Sequence, residues 1–140
     1  MTADLSGAGK RKIIKLRGMV TSGARESRFF TEIPWVKKQF IDKLGINPFP
    51  GTLNIAVVPE DGDKLSALRK AKGVEITPQD ENFCTANSFP VLVSSRINGA
   101  AIIPQIANYP RTQLEIISAE NIKQALSLND GDLVEVEVYL

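Results

Sequence analysis

Short strand-like runs follow one another along the chain without a regular alternation with helices, and this spacing constrains the fold more than any other feature. The runs are rich in β-branched and aromatic residues and are bounded by turn-forming residues. A doubly wound parallel sheet alternates strands with helices, so the pattern argues against that fold and predicts a compact, mostly β barrel with inserted helices. The expected strands are residues 12–23, 28–33, 52–58, 74–76, 83–87, two arms of 90–104 around an Asn98-Gly99 hairpin turn, 112–118 and 133–140.

Helices are predicted between some of these strands. Residues 34–45 form the clearest one, because Pro34 suits the first helical position, Gly45 suits the C-terminal stop, and Val36 and Phe40 recur on one face. A short helix or a turn is expected at residues 63–73, closed by Gly73, and a further helix runs from a Ser118 cap to about Leu128.

The composition excludes several kinds of catalytic site. The chain has a formal net charge of +1, one cysteine and no histidine. Without histidine, neither a Ser-His-Asp nor a Cys-His nucleophile system can be built, and no imidazole can hold a metal. Chemistry must therefore use carboxylates, hydroxyls, amides, Lys, Arg, backbone groups or a bound hard cation. The nearly neutral charge gives no field that would recruit nucleic acid or an anionic membrane.

Length and cysteine content predict a small cytoplasmic protein. With 140 residues, the chain fits one domain at residues 11–140, preceded by a disordered basic tail at residues 1–10. The lone Cys84 fits a reducing compartment, and no apolar run resembles a signal peptide or a membrane span. We expect a cytoplasmic monomer that binds neither nucleic acid nor membranes.

A polar pair opens the strand that follows the proline-rich turn at residues 47–51. Thr52 and Asn54 share one face of this strand, while Leu53 and Ile55 share the other. Asn is a poor strand residue, so the pair is either an accident of a solvent-facing edge strand or a set of oxygen ligands. Mg²⁺ takes such ligands and often completes its shell with substrate phosphates.

Two further stretches have both a functional and a structural interpretation. The loop between the first two predicted strands is either a phosphate-binding turn, with backbone amides and arginines, or a charged hairpin tip. Glu115 faces opposite to Leu114 and Ile116 on its strand, as either a general base in a pocket or an exposed residue. The loop comprises Gly23, Ala24, Arg25, Glu26, Ser27 and Arg28.

Several stretches, taken in order over about residues 17–139, resemble the CTP-dependent riboflavin kinases typical of archaea. They are "GMVTSG" with "RFF", "KKQFIDKLGINPFPGTLNI", "AAIIP" with "NYP", and "LEIISAENIKQALSLNDGDLVEVEV". The blocks "PFPGTLN" and "LNDGDLVEVEV" are the most specific. The resemblance implies a small six-stranded cradle-loop barrel that makes FMN and CDP from riboflavin and CTP.

The resemblance also implies roles for individual residues. Thr52 and Asn54 match the family's Mg²⁺ ligands, and Glu115 matches a catalytic glutamate that contacts the flavin and accepts the proton of the ribityl hydroxyl. Ala107 matches a flavin-contacting threonine. Two segments match the nucleotide-binding stretches, namely residues 23–28 and the helix start at Glu120, Asn121, Ile122 and Lys123.

Two departures from the family pattern leave an alternative function open. The family's loop is usually Gly-x-Gly-Glu-Gly, whereas this chain has "GARES", which lacks two glycines that give easy access to positive φ. Ala107 also removes a hydroxyl from the expected flavin site. The alternative is an altered member of the fold that binds a small molecule or nucleotide, or acts on a different substrate.

Overall fold

The computed structural model describes residues 12–22, 30–81 and 83–140. The expected tail at residues 1–10 therefore lies outside the described residues. Within the described ranges, strands dominate and the helices are short. The strands are β1 (Ile13–Thr21), β2 (Leu53–Val57), β3 (Val74–Ile76), β4 (Ala86–Val93), β5 (Ile97–Pro104), β6 (Gln113–Ile117) and β7 (Leu133–Tyr139). The helices are α1 (Pro34–Leu44), α2 (Gly62–Lys70) and α3 (Ile122–Ala125), with a 3₁₀ turn at Pro59–Asp61.

Six of the strands close into an antiparallel barrel, as the family resemblance implies. Their order around the barrel is β4-β5-β6-β2-β1-β7, and β7 pairs with β4 to close the ring. The strand β3 pairs with the first half of β4, while β7 pairs with its second half. The fold is therefore a mostly β, six-stranded barrel with short helices inserted between the strands.

Alternating side chains fill the barrel and leave a second apolar layer outside it. The interior is lined by residues that recur at every second position, such as Leu53, Ile55, Leu114 and Ile116. Helix α1 packs Val36 and Phe40 against the outer face of β5 and β6, where Ala100, Ile102 and Ile117 are buried. Strands β5 and β6 are therefore covered on both faces, and α1 places one wall of the site described below.

The strand predicted at residues 28–33 is wrong over its described part, because residues 30–32 are helical. Phe30 and Ile33 both pack against the apolar layer outside the barrel. The Ile33 amide donates to the Phe30 carbonyl oxygen at 3.3 Å, so the backbone turns here instead of running as an extended strand. Similarly, residues 83–85 of the expected strand at 83–87 precede β4, which begins at Ala86.

The hairpin turn predicted at Asn98-Gly99 is also wrong. Both residues lie inside β5, and the connection from β4 is made at residues 94–96. Ser94 and Ser95 adopt left-handed backbone conformations there, with φ values of 51° and 56°. Gly99 serves a different purpose, since its backbone lies so close to β6 that a Cβ atom would clash with the carbonyl oxygen of Ile117.

This close approach predicts a loss of stability in Gly99→Ala. The new methyl group would meet the Ile117 carbonyl and would lie 3.1 Å from Ile116 Cγ2, so β5 and β6 would have to separate. We expect the free energy of unfolding to fall by about 1–3 kcal/mol, measured by urea denaturation. Gly62→Ala is the matched control, because nothing lies within 4 Å of a Cβ atom at that position. An equal effect of the two substitutions would contradict the steric explanation.

Candidate active site

One row of neighbouring positions on the outer surface of the barrel brings the predicted site residues together. Asn54 on β2 pairs with Glu115 on β6, which in turn pairs with Ile102 on β5. On its other side, Asn54 pairs with Thr21 on β1. Directly paired residues on adjacent strands point to the same face of the sheet. The register therefore places the candidate metal ligand Asn54 beside the candidate base Glu115.

Thr52 and Asn54 do not belong to a solvent-facing edge strand, so that interpretation of the pair is wrong. Strand β2 lies between β1 and β6 in the closed ring, and Asn54 is only 4% exposed. The Asn54 amide nitrogen donates to the Thr52 carbonyl oxygen at 3.2 Å, and its Oδ1 accepts from Gln113 Nε2 at 3.5 Å. The amide is held from both ends, so its oxygen has a defined position beside Glu115.

A cavity of about 650 Å³ opens in front of Glu115. Its volume is typical of a site for a drug-sized ligand, and its walls are mostly apolar and aromatic. Helix α1 supports two of the aromatic walls, because Phe40 packs edge-on against Phe30 and Trp35 packs edge-on against Phe83. Such walls suit a flat ring system. The lining residues are Phe30, Thr52, Glu81, Phe83, Cys84, Ala86, Ile102, Pro104, Ile106, Tyr109, Pro110, Gln113 and Glu115.

Glu115 lines this cavity with its two carboxylate oxygens in different surroundings. Its Oε2 accepts a hydrogen bond of 2.6 Å from the Tyr109 hydroxyl, while the Thr52 hydroxyl lies 3.4 Å from its Oε1. Burial, followed by the hydrogen bond to Glu115, raises the pKa of Tyr109 well above its ordinary value, so Tyr109 remains a donor at neutral pH. Glu115 is thus a half-buried carboxylate in a cavity, with Oε1 directed toward Thr52.

The predicted nucleotide segment after β6 forms part of the wall of a second, smaller cavity of about 110 Å³. Glu120, Asn121, Ile122 and Lys123 all line it, together with Thr52 and the turn at residues 49–51. Thr52 lines the larger cavity as well. The structure therefore brings the segment 120–123 next to the predicted metal ligand and makes Thr52 the residue shared by the two cavities.

The helix after β6 is shorter than predicted and has a different cap. Helix α3 spans Ile122–Ala125, and its cap is Asn121, whose side chain accepts from the Gln124 amide at 3.2 Å. Ser118 instead accepts from the Glu120 amide at 3.2 Å and donates to the Asn98 carbonyl at 2.7 Å. The serine therefore shapes the turn that carries residues 120–123 rather than starting the helix.

The predicted nucleotide loop at residues 23–28 lies outside the described residues, but its neighbours are tied to the site. Ser22 donates to Asp130 at 2.6 Å, and Lys123 pairs with the same carboxylate at 2.9 Å. The hydrogen bond from Ser22, together with the Lys123 ammonium, holds the pKa of Asp130 below its ordinary value. Beyond the loop, the Thr31 hydroxyl accepts from the Gly51 amide at 2.8 Å. Ser22, through Asp130, and Thr31 are therefore connected to Lys123 and Gly51, which line the smaller cavity.

Ala107 lies in the connection between β5 and β6 and does not line the larger cavity. It lines an adjoining cavity of about 330 Å³ that shares Pro104, Ile106 and Tyr109 with the larger one. Sequence reasoning missed the roles of Tyr109 and Gln113. Tyr109 reaches Glu115 from the connection before β6, and Gln113 reaches Asn54 from β6 to the neighbouring β2. Tyr109 stands in the quoted "NYP" block, but nothing in that block indicates which carboxylate it meets.

Residues 12–22, 30–81 and 83–140 contain neither a membrane-spanning helix nor a cluster of acidic, thiol and imidazole side chains for a metal. The helices there are too short or too polar to cross a membrane. No group of three or more His, Cys, Asp or Glu side chains among these residues could hold a metal ion.

Comparison with known proteins places most of the chain in one family. Residues 20–138 match the family model CTP-dep_RFKase, described as "Domain of unknown function DUF120". Similar proteins include the riboflavin kinases of Archaeoglobus fulgidus (38% identical over 91% of this chain), Sulfurisphaera tokodaii (37% over 94%) and Ignicoccus hospitalis (37% over 91%). The matched region covers 55%, 99% and 73% of those relatives, respectively.

Proposed function

The chain belongs to the CTP-dependent riboflavin kinase family, and we propose that it transfers a phosphoryl group from CTP to riboflavin, giving FMN and CDP. One observation carries this proposal most directly, namely that Thr52 lines both cavities. A phosphotransferase must hold its donor and its acceptor in contact at one point. The larger cavity suits a flavin, and the smaller one has room for part of a nucleotide.

Thr52 at the junction of the two cavities and the neighbouring, buried Asn54 fit a divalent cation that arrives with the nucleotide. Thr52 and Asn54 offer neutral oxygen atoms, which are the ligand type that Mg²⁺ prefers. Two neutral ligands alone bind the ion weakly, so most of its shell would be phosphate oxygens and water. When bound, Mg²⁺ would neutralise charge on the phosphates during transfer.

In the proposed reaction, Glu115 binds the ribityl 5′-hydroxyl and accepts its proton. The hydroxyl oxygen forms a bond to the γ-phosphorus of CTP, while the bond between that phosphorus and the oxygen of the departing CDP breaks. The Oε1 atom of Glu115 is suited to the proton, since Oε2 is already engaged by Tyr109. Little else is required of the protein, because phosphoryl transfer depends mainly on positioning and charge stabilisation.

The nucleotide would contact the segment at residues 120–123 and the loop at residues 23–28, where Arg25 and Arg28 supply positive charge. Ala107 would approach the flavin from the adjoining cavity. A preference for CTP over other nucleotides, a monomeric state and a cytoplasmic location belong to the same proposal. They are supported by the family resemblance and by the composition.

Substitution of Lys123 tests whether the smaller cavity binds the nucleotide. Lys123→Gln removes a positive charge from the smaller cavity, so the affinity for CTP should fall about tenfold or more. The loss should be larger at low ionic strength, where charge interactions are less screened. Lys38→Gln is the matched control, because Lys38 also pairs with an aspartate but lies on the exposed surface of α1. Calorimetric titration measures the affinity of both variants for CTP. If Lys123→Gln bound CTP as tightly as Lys38→Gln does, Lys123 would not belong to the nucleotide site.

The proposed function is tested by incubating the purified protein with riboflavin, Mg²⁺ and each of CTP, ATP, GTP and UTP. Chromatography with flavin fluorescence separates FMN from riboflavin. We expect FMN to form fastest with CTP and to stop forming when the divalent ion is chelated. If the protein bound riboflavin but formed no FMN with any nucleotide, the proposal would be overturned. The alternative of an altered member of the fold that only binds a small molecule would then be favoured.

A further inference from the structure

We propose that Tyr109 is a positioning residue that fixes the Glu115 carboxylate for proton acceptance, an inference that rests on the proposed function. Tyr109 does not need to touch either substrate's reacting atoms to do this. Its hydroxyl occupies Oε2 of Glu115 at 2.6 Å, which leaves Oε1 facing Thr52 at 3.4 Å. The two oxygens of one carboxylate are thereby divided between a structural contact and the reaction.

The length of the contact indicates a strong interaction. A hydrogen bond of 2.5–2.7 Å between a hydroxyl and an ionised carboxylate is charge-assisted and stronger than a neutral one. A glutamate side chain loses considerable rotational freedom when it is fixed in one orientation. A partly buried donor that holds the carboxylate in place before the substrate binds removes that entropic cost from the reaction step.

Tyr109 is itself held by a helix on the other side of the connection between β5 and β6. The Arg69 guanidinium lies 5.5 Å from the centre of the Tyr109 ring and donates a hydrogen bond to the Pro110 carbonyl. Arg69 belongs to α2, whose Leu65 and Leu68 are buried in the barrel core. A rigid element of the fold therefore fixes the ring, the ring fixes the carboxylate, and the carboxylate faces Thr52.

A double-mutant cycle tests this chain of contacts. Tyr109→Phe keeps the ring and its apolar contacts in the cavity but removes the hydroxyl. We expect kcat to fall about tenfold, with little change in the dissociation constant for riboflavin or in Tm. In the Glu115→Gln background the same substitution should have almost no further effect on kcat, because Tyr109 acts through Glu115. Tyr139→Phe is the matched control, since β7 is three strands away from β6 in the ring.

The outcomes separate this inference from the proposed function. A wild-type protein that makes no FMN would overturn both. If the wild type is active, an unchanged kcat in Tyr109→Phe would overturn only the positioning role. The same conclusion would follow if Tyr109→Phe weakened riboflavin binding alone, or lowered kcat by the same factor with and without Glu115. Those results would make Tyr109 a flavin contact or a general support of the fold.

Discussion

Glu115→Gln should lower kcat/KM for riboflavin by about 10²-fold or more, and most of the loss should appear in kcat. The substitution keeps the size of the side chain and its ability to accept from Tyr109, but it removes the group that takes the proton. Because the variant retains the shape of the cavity, the dissociation constant for riboflavin should change much less. Steady-state kinetics of FMN formation and fluorescence titration of riboflavin measure the two quantities separately.

The matched control for this prediction is Glu135→Gln. Glu135 is an exposed strand glutamate on β7, three strands away from β6 around the barrel. The control loses the same charge on the same fold and should keep its full activity. If Glu115→Gln left both kinetic parameters unchanged in an active enzyme, the assignment of the larger cavity as the flavin site would have to be abandoned.

Thr52→Val should have an effect of similar size, but on the nucleotide and its metal ion. Thr52 is partly exposed where the two cavities meet, so the methyl group of valine should be accepted without unfolding. The loss of the hydroxyl removes one oxygen ligand at the point where charge develops, which should lower kcat by about 10²-fold or more. Calorimetry should also show weaker binding of CTP in the presence of Mg²⁺ than the wild type shows.

Thr52→Ser separates the hydroxyl from the rest of the side chain. Serine keeps the oxygen and loses only the methyl group, so it should restore most of the activity that valine removes. Equal losses in the serine and valine variants would show that packing at this position, rather than a ligand oxygen, supports the activity.

Most strands could be predicted from the sequence because their alternation is local. The pattern around Leu53 and Ile55 is set by neighbours one and two residues away, and the barrel interior follows it. The two clear errors had non-local causes. Residues 30–32 form a helical turn beside which Phe30 and Ile33 pack on the outer apolar layer, and Gly99 lies inside β5, where β6 approaches its backbone closely.

In the candidate site, too, local features could be predicted from the sequence and non-local contacts could not. The motif containing Thr52 and Asn54 is continuous in sequence, so a family resemblance is enough to select it. The contact of Gln113 with Asn54 depends on the register of β2 and β6, and the contact of Tyr109 with Glu115 depends on the path of the connection before β6. A single sequence specifies neither of them. The same register explains why Glu115 lies beside Asn54 although the two residues are far apart in the chain.

The central claim is that donor and acceptor meet at Thr52, and the most direct measurement is the stoichiometry of the products. Wild-type protein incubated with riboflavin, CTP and Mg²⁺ should produce FMN and CDP in equal amounts, and neither product should accumulate in Thr52→Val over the same period. Formation of CDP without FMN would show that water, rather than riboflavin, accepts the phosphoryl group. That result would contradict a shared site for the two substrates.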